Sequence, residues 1–396
     1  MKIALVHDWL VRLGGAERVL IAFHKIFPEA PIYTLFYDKE FVSQYLPKAK
    51  ISASFLHKVP NIKKLHPWLK ILMPFAIESI DLSDFDLIIS SSHEFSHGIL
   101  SKQSAKHICF YHSPSRILWD RTYEYAKDFK ERGKGAFKLS LIKLGQHFLR
   151  IWDHGASRRP DIVLANSKHV AQRIKKYYGR EAQVIYPPVE ITASESAHRM
   201  APAQLSFKNY FLIVSQLYPH KNLDLAIEAF KRIPDLNLVI IGDGPEYKNL
   251  KIKIQQRFPA SHGNLRRAKS KLRNVELLGF VSDEDLPVYY KGCLAYLICN
   301  EEDFGISPLE AMSFGKPVLA YKKGGVQESV LEGKTGEFFD KLEPGSLSEA
   351  AELINEKIKS GHFNEMAIKK HSEKFSFERF KKEVFDIIKS LGYNLA

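Results

Sequence analysis

At 396 residues the chain is too long for a single ordinary core, so two domains are expected. Hydrophobic residues make up 45% and charged residues 26%, which excludes a disordered chain, and no apolar run of about twenty residues exists to span a membrane. The formal charge of +13 favours anionic partners, whether phosphates, nucleic acid or an acidic membrane surface. Much of that excess sits in residues 248–273, which hold nine Lys/Arg and no acid. This run reads either as a solvated insertion or as a patch for anionic headgroups or a polyanion.

The opening "MKIALVHDWL" is broken too soon by His7-Asp8 for a signal peptide to be expected. Residues 2–7 instead read as a first strand. Gly14-Gly15 follows, then a helix whose Ala16, Val19, Leu20, Phe23, Ile26 and Phe27 share one face. Two glycines before a helix let a ligand approach free backbone N–H groups, which favours an anion, although a plain tight turn has the same spelling. The spacing is not that of a dinucleotide fingerprint. Further strands are expected at 31–37, 86–91, 107–112, 161–166 and 182–186. They are short, continuous and rich in β-branched and aromatic residues, as in a parallel sheet covered on both faces.

Residues 56–77 and 134–152 place apolar side chains on one face among lysines, arginine and tryptophan, the pattern of an interfacial amphipathic helix or of an ordinary packed one. "YHSPSRILWD", residues 111–120, follows the strand at 107–112 and crowds His112, Pro114, Arg116, Trp119 and Asp120 at its end. His112 can donate, accept or stack, and Arg116 offers a planar fork to phosphate or carboxylate.

After Pro187-Pro188, residues 191–206 have weak pattern and read as a linker. The plan then repeats, with strands expected at 210–215, 237–241, 275–279, 294–299 and 317–321 and a helix stripe of Leu223, Ala226, Ile227, Phe230 and Ile233. The fold class is therefore α/β with two Rossmann-like domains of parallel strands facing across a cleft, since ligands of such sheets sit at the carboxyl ends of the strands. The boundaries are 1–190, a linker over 191–206, 207–374, and a C-terminal helix over 375–396 that can return to the first domain. Cys109, Cys293 and Cys299 lie in apolar, strand-like runs and read as reduced core thiols, with no disulfide framework and no metal-ligand spacing.

Four strand ends in this half carry candidate chemistry. Lys221, in "SQLYPHKN", stands beside a helix start where it can neutralise a diphosphate. Gly242 and Gly244 of "GDGPE" read as turn glycines, with Pro245 entering a helix. The backbone at Phe280-Val281 can pair with a flat base edge. "EEDFGISPLE", residues 301–310, sets Glu302 and Glu310 eight positions apart around a Phe304-Gly305 turn, with Ser307 expected as the N-cap and Glu310 in the first helical turn. Carboxylates accept hydrogen bonds from vicinal diols, so one can hold a sugar and the other a ribose.

"GGAERVL", "YHSPSRILWD", "NSKHVAQRI", "GDGPE", "LLGFVSDEDLP" and "EEDFGISPLEAMSFGKPVLA" occur in consistent order over nearly the whole chain. Together they resemble a family 4 retaining glycosyltransferase of the GT-B fold. The 111–120 segment is similar to that of bacterial mannosyltransferases of O-antigen and exopolysaccharide synthesis. The resemblance implies that Glu302 contacts the transferred hexose and Glu310 the ribose, and that Lys221 neutralises the diphosphate. It implies His112 by the donor's anomeric region and Gly14-Gly15 near phosphate and acceptor. The backbone of Phe304, Gly305, Ile306 and Ser307 completes the donor contacts. Where the family usually carries arginine before the lysine, this chain has Gln216, and Arg116 is a candidate to supply the missing charge.

The resemblance therefore implies a hexosyltransferase that needs no cofactor and no metal. Its donor would be GDP-mannose or a UDP-sugar, and its acceptor a glycan or a lipid-linked glycan of cell-surface polysaccharide synthesis. A cytoplasmic protein is expected, with peripheral attachment to an anionic membrane face as an extension, and nucleic acid is not an expected partner. A sugar-nucleotide epimerase of the same fold and a non-catalytic polyanion binder are the competing readings; the E-x7-E spacing speaks against the first, and the lack of an aromatic-rich basic platform against the second.

Overall fold

The computed structural model describes residues 1–66, 68–124, 136–189, 207–255 and 274–393. The linker expected at 191–206 and most of the basic 248–273 segment lie outside the described residues. The chain divides into two compact units, Met1–Pro188 with Phe377–Ala396, and Val189–Ser376.

The first unit is built on seven parallel strands: β1 Ile3–Leu10, β2 Ile32–Tyr37, β3 Ile51–Ala53, β4 Leu87–Ser92, β5 Lys106–Tyr111, β6 Ile162–Ala165 and β7 Gln183–Val184. Their order is β3-β2-β1-β4-β5-β6-β7. Alternate residues feed two cores. Leu5, Ile89 and Phe110 pack under helix Gly15–Ile26 on one face, while Ala4, Val6 and Ile88 meet helix Met73–Glu78 and Leu149 of helix Ala136–Ala156 on the other. Helix Phe377–Ser390 joins the first of these cores. Phe380 is fully buried, edge-on to Phe23 at 5.2 Å, and Arg379 Nη2 donates to the Tyr186 carbonyl at 2.6 Å. Truncating one such phenylalanine costs about 3–5 kcal/mol.

The second unit carries six parallel strands: β8 Tyr210–Val214, β9 Asn237–Ile241, β10 Val275–Gly279, β11 Ala295–Ile298, β12 Val318–Tyr321 and β13 Gly336–Phe339, in the order β10-β9-β8-β11-β12-β13. Helices Leu223–Phe230 and Pro344–Lys359 cover one face through Phe230, Leu347, Ala351 and Ile354. The fold is thus α/β with two Rossmann-like parallel sheets of the GT-B type. Strands β3, three residues at the sheet edge, and β13, whose four residues begin Gly-Glu, are not among those expected.

Several local expectations are corrected. Residues 56–77 do not form one amphipathic helix. They break into Phe55–Lys58, Ile62–Leu65, Lys70–Leu72 and Met73–Glu78, with Asn61 in the left-handed region at φ 56° and Pro74 in the first turn of the last piece. Residues 136–156, by contrast, make one continuous helix. Helix Ile306–Ser313 starts earlier than expected: Gly305, at φ 88°, is the N-cap, so Ser307 lies inside the first turn and Glu310 falls in the second. A glycine that reaches a positive φ makes the chain reversal without a side-chain cap. Pro245 lies two residues ahead of helix Tyr247–Gln255 rather than starting it. All three cysteines are free and buried, but Cys293 caps helix Leu286–Gly292 instead of lying in a strand.

Candidate active site

In a doubly wound sheet, ligands favour the carboxyl ends of the strands where the strand order reverses. Each unit has one such point, between β1 and β4 and between β8 and β11. Several of the candidate residues lie at these two points.

At the second unit's switch point, Lys221 ends a short 3₁₀ turn after β8 and Glu302 follows β11. The fold brings them together, with Lys221 Nζ 2.5 Å from Glu302 Oε1 and the side chains only 18% and 26% exposed. Asn300 Nδ2 donates to the same oxygen at 3.0 Å. Burial by itself would raise the Glu302 carboxyl, but the ammonium of Lys221 and the Asn300 amide outweigh it and hold it below the usual carboxylate range. Glu302 is therefore an ionised acceptor, suited to sugar hydroxyls. Asn222, left-handed at φ 53°, donates from Nδ2 to the Cys299 carbonyl at 2.9 Å and ties the lysine's turn to the end of β11.

The loop bearing Glu302 is held by a glycine pair. Gly325 N–H donates to the Glu302 carbonyl at 2.8 Å, and Gly324 bridges Glu302 at φ 86°. A Cβ on Gly324 would lie 2.2 Å from the Glu302 carbonyl oxygen, and one on Gly325 2.1 Å from that of Asp303. "GGVQE" thus serves to let two loops touch. Gly242 and Gly244 do the same against Ser215 and Leu217, on either side of Gln216. Phe304 is buried against Phe375, 5.7 Å between rings, which anchors the backbone of Gly305, Ile306 and Ser307 at the helix entrance. Glu310 does not join the Lys221–Glu302 pair; its Oε2 accepts from the Tyr290 hydroxyl at 2.7 Å, and the Tyr290 ring stacks on Phe314. Phe280 is 72% exposed after β10, with Val281 half-buried beside it.

The first unit's switch point is a histidine-rich network that pattern and motif do not foretell. Asp8, fully buried at the end of β1, accepts from the backbone N–H groups of His93, Glu94, Phe95 and Ser96 at 2.6–3.0 Å. Its Oδ2 also lies 2.8 Å from His93 Nδ1. Burial opposes charge on His93, yet the Asp8 carboxylate prevails and raises its pKa to about 9. The serines of β4 each meet a histidine: Ser90 Oγ is 2.8 Å from His107 Nε2, Ser91 Oγ 2.8 Å from His112 Nε2, and Ser92 Oγ 3.1 Å from His97 Nδ1. His7, opposite Ser91 in register, lies 3.5 Å from Glu17 of the helix that Gly14 caps and Gly15 begins. The run "SSSH" at 90–93 was the available signal, since three polar residues closing an apolar strand need buried partners.

The 113–120 segment is fixed from outside. Arg173 reaches Ser113 Oγ, the Pro114 carbonyl and the Asp120 carboxylate, and Trp119 stacks on Tyr177 at 5.2 Å. Trp119 Nε1 also donates to Asp153 at 2.7 Å. Trp119 and Asp120 thus position the loop, while His112 and a half-buried Arg116 stand at its start. Among the described residues no set of three or more His, Cys, Asp or Glu is placed to hold a metal ion, and no helix is long and apolar enough to cross a membrane.

Comparison with known proteins points to glycosyltransferases. Residues 13–193 match the family model Glycosyltransferase Family 4, and residues 198–372 match Glycosyl transferases group 1. An uncharacterized glycosyltransferase of Methanocaldococcus jannaschii, MJ1178, is 26% identical over 390 residues, covering 96% of this chain and 95% of its own. The alpha-1,3/1,6-mannosyltransferase ALG2 of Dictyostelium discoideum is 24% identical over 340 residues, 78% of this chain and 76% of its own. The structure of Anabaena HepE in complex with UDP-glucose superposes with a TM-score of 0.66 at 20% identity, over 98% of this chain and 100% of that one, a likeness of fold. Together the two models span most of both units, and the chain belongs to the family 4 glycosyltransferases.

Proposed function

We propose that this glycosyltransferase moves a hexose, mannose before others, from a nucleoside diphosphate sugar to a glycan or lipid-linked acceptor in cell-surface polysaccharide synthesis. The observation that carries the reading is the Lys221–Glu302 pair at the switch point of the second sheet. An incoming diphosphate competes for the Lys221 ammonium and thereby releases Glu302 to accept from sugar hydroxyls. Both groups are already in place before the donor arrives, so little reorganisation is needed. Glu310 takes the ribose diol, and Phe280-Val281 the base. The backbone of Phe304 to Ser307 contacts the sugar and phosphate. His112 meets the sugar near its anomeric carbon, while Gly14, Gly15 and Arg116 serve phosphate and acceptor, with Arg116 supplying the charge that Gln216 lacks. Mannose is favoured by the 111–120 segment and by the mannosyl transfer for which ALG2 is named.

The transfer proceeds with retention. The acceptor hydroxyl attacks the anomeric carbon on the face from which the diphosphate leaves. The bond to the diphosphate breaks with its electron pair, and the departing oxygen takes the hydroxyl proton. Lys221 and the helix entrance at Ile306 stabilise that oxygen without a metal.

The acceptor's lipid suits an exposed apolar surface on the first unit. Trp68 and Phe75 are 62% and 67% exposed, and Leu141, Leu144, Phe148 and Ile151 line the outer face of helix Ala136–Ala156. Trp152 Nε1 donates to Glu78 at 2.7 Å, holding that helix beside Met73–Glu78. Lys63, Lys64, Lys143 and Arg150 lie on the same two segments, and apolar side chains with basic neighbours in sequence fit an anionic membrane face.

Hydrolysis and transfer assays across GDP-, UDP- and ADP-sugars, with thermal shift by each free nucleotide, test the donor. A nucleotide at 100 times its Kd stabilises by about 2.7 kcal/mol, a readable shift. No turnover from any nucleotide sugar sinks the transfer reading. Failure to float with liposomes, with or without anionic lipid, sinks the membrane part alone.

A further inference from the structure

Burial, with the neighbouring His7 and His93, pushes His112 well below the ordinary histidine value, so its ring is neutral and only one nitrogen carries hydrogen. Which one decides what the ring can offer a ligand. The network around it supplies the answer. His7 Nδ1 lies 2.9 Å from the Ser91 carbonyl oxygen, which can only accept, so His7 Nδ1 carries a hydrogen. The same N–H lies 3.2 Å from Ser91 Oγ, so the hydroxyl is approached there by a hydrogen and not by a lone pair. Ser91 is 1% exposed, and the other described partner of its hydroxyl is His112 Nε2 at 2.8 Å. If Nε2 carried hydrogen it would donate to Ser91 Oγ and leave the serine's own hydrogen buried without an acceptor. A buried unsatisfied donor is costly, so the serine donates and Nε2 accepts.

We infer that His7 and Ser91 are positioning residues that lock His112 as the neutral tautomer protonated on Nδ1, so that the half-buried ring presents an N–H donor to an oxygen of the bound sugar. The inference rests on the proposed role of His112 for its catalytic consequence, but not for the tautomer. The fold sets the arrangement directly. His7 and Ser91 are register partners across β1 and β4, and the His112 N–H donates to the Ser92 carbonyl at 2.8 Å, which brings the ring to the end of β4. Among the described residues Nδ1 of His112 has no hydrogen-bond partner, as a group kept for a ligand requires.

Nitrogen NMR of the full chain with ¹⁵N-labelled histidine, His112 assigned by His112→Gln, reads the tautomer. The expected result is hydrogen on Nδ1 and a bare Nε2. Ser91→Ala should move hydrogen to Nε2 and lower kcat/KM about ten-fold, and Ser91→Thr should restore both. His112→Asn, whose amide nitrogen takes the place of Nδ1, should retain about ten-fold more activity than His112→Gln, whose nitrogen takes that of Nε2. Hydrogen on Nε2 in the natural protein, or a tautomer indifferent to Ser91→Ala, overturns the inference. A protein with hydrogen on Nδ1 that turns over no nucleotide sugar defeats the transfer reading and leaves the tautomer assignment standing.

Discussion

The two switch points occupy the same place in two sheets that share one order over six strands, and they are chemically unlike. The second unit offers an ion pair, Lys221 with Glu302, partly open to solvent. The first offers a chain of imidazoles and hydroxyls around a carboxylate sealed by four backbone N–H groups, with His112 neutral beside a cationic His93. Charge that can be handed to a ligand characterises the second. Fixed hydrogen-bond direction characterises the first. In the proposed transfer a diphosphate calls for the former, and a sugar hydroxyl, whose hydrogen has a direction, calls for the latter.

The sharpest way to break this contrast is to spoil the sealed carboxylate. Asp8→Asn would point an amide N–H at backbone donors and leave the His93 cation without its counterion. Breaking a buried pair this way costs about 3–5 kcal/mol, read by denaturant unfolding. A loss below about 1 kcal/mol would show that the Asp8 cage is no keystone of the first unit. At the other switch point the expected damage is to rate and not to folding. Glu302→Gln or Lys221→Ala should each lower kcat by about 10²–10³-fold, with a thermal midpoint close to that of the natural chain. Near-normal turnover in both would reduce the pair to a surface bridge.

The contrast was unequally visible in the sequence. Glu302, the turn glycine Gly305 and Glu310 lie in one stretch of ten residues, so they could be read together along the chain. Lys221 could be placed at a strand end, but its contact with Glu302 is made across the sheet. The first unit's network joins residues 7–8, 17, 90–97 and 112, and only strand register brings His7 opposite Ser91. Period and composition report which face a residue occupies, not which neighbour it meets there. The same limit explains residues 56–77. The apolar spacing was real, but turns at Asn61 and ahead of Pro74 cut the helix that spacing alone would build.

A third test follows the proton on His93. Its pKa is raised from 6.5 to about 9, so the folded chain binds that proton more tightly than the unfolded one. The resulting stability is fully present below pH 6.5 and is lost as pH rises through about 9, amounting to about 3 kcal/mol. Unfolding free energy measured from pH 6 to 10 should fall accordingly, and His93→Gln should remove that slope. A natural chain whose stability is flat across this window would mean that Asp8 does not hold His93 as a cation.

The smallest expected effect lies at Glu310, and it separates holding from chemistry within the second unit. Its carboxylate accepts from Tyr290 and sits one helical turn beyond the entrance at Ile306, apart from the Lys221–Glu302 pair. A group that grips only the ribose binds ground state and transition state alike, so its removal weakens donor binding without slowing the bound complex. Glu310→Ala should therefore raise the donor KM about ten-fold and leave kcat within about two-fold. Tyr290→Phe, which keeps the stacking on Phe314 and deletes only the hydroxyl, should show a weaker version of the same pattern. If Glu310→Ala instead lowers kcat as far as Glu302→Gln does, the two carboxylates act as one unit despite their separate partners, and the division between gripping and reacting fails there.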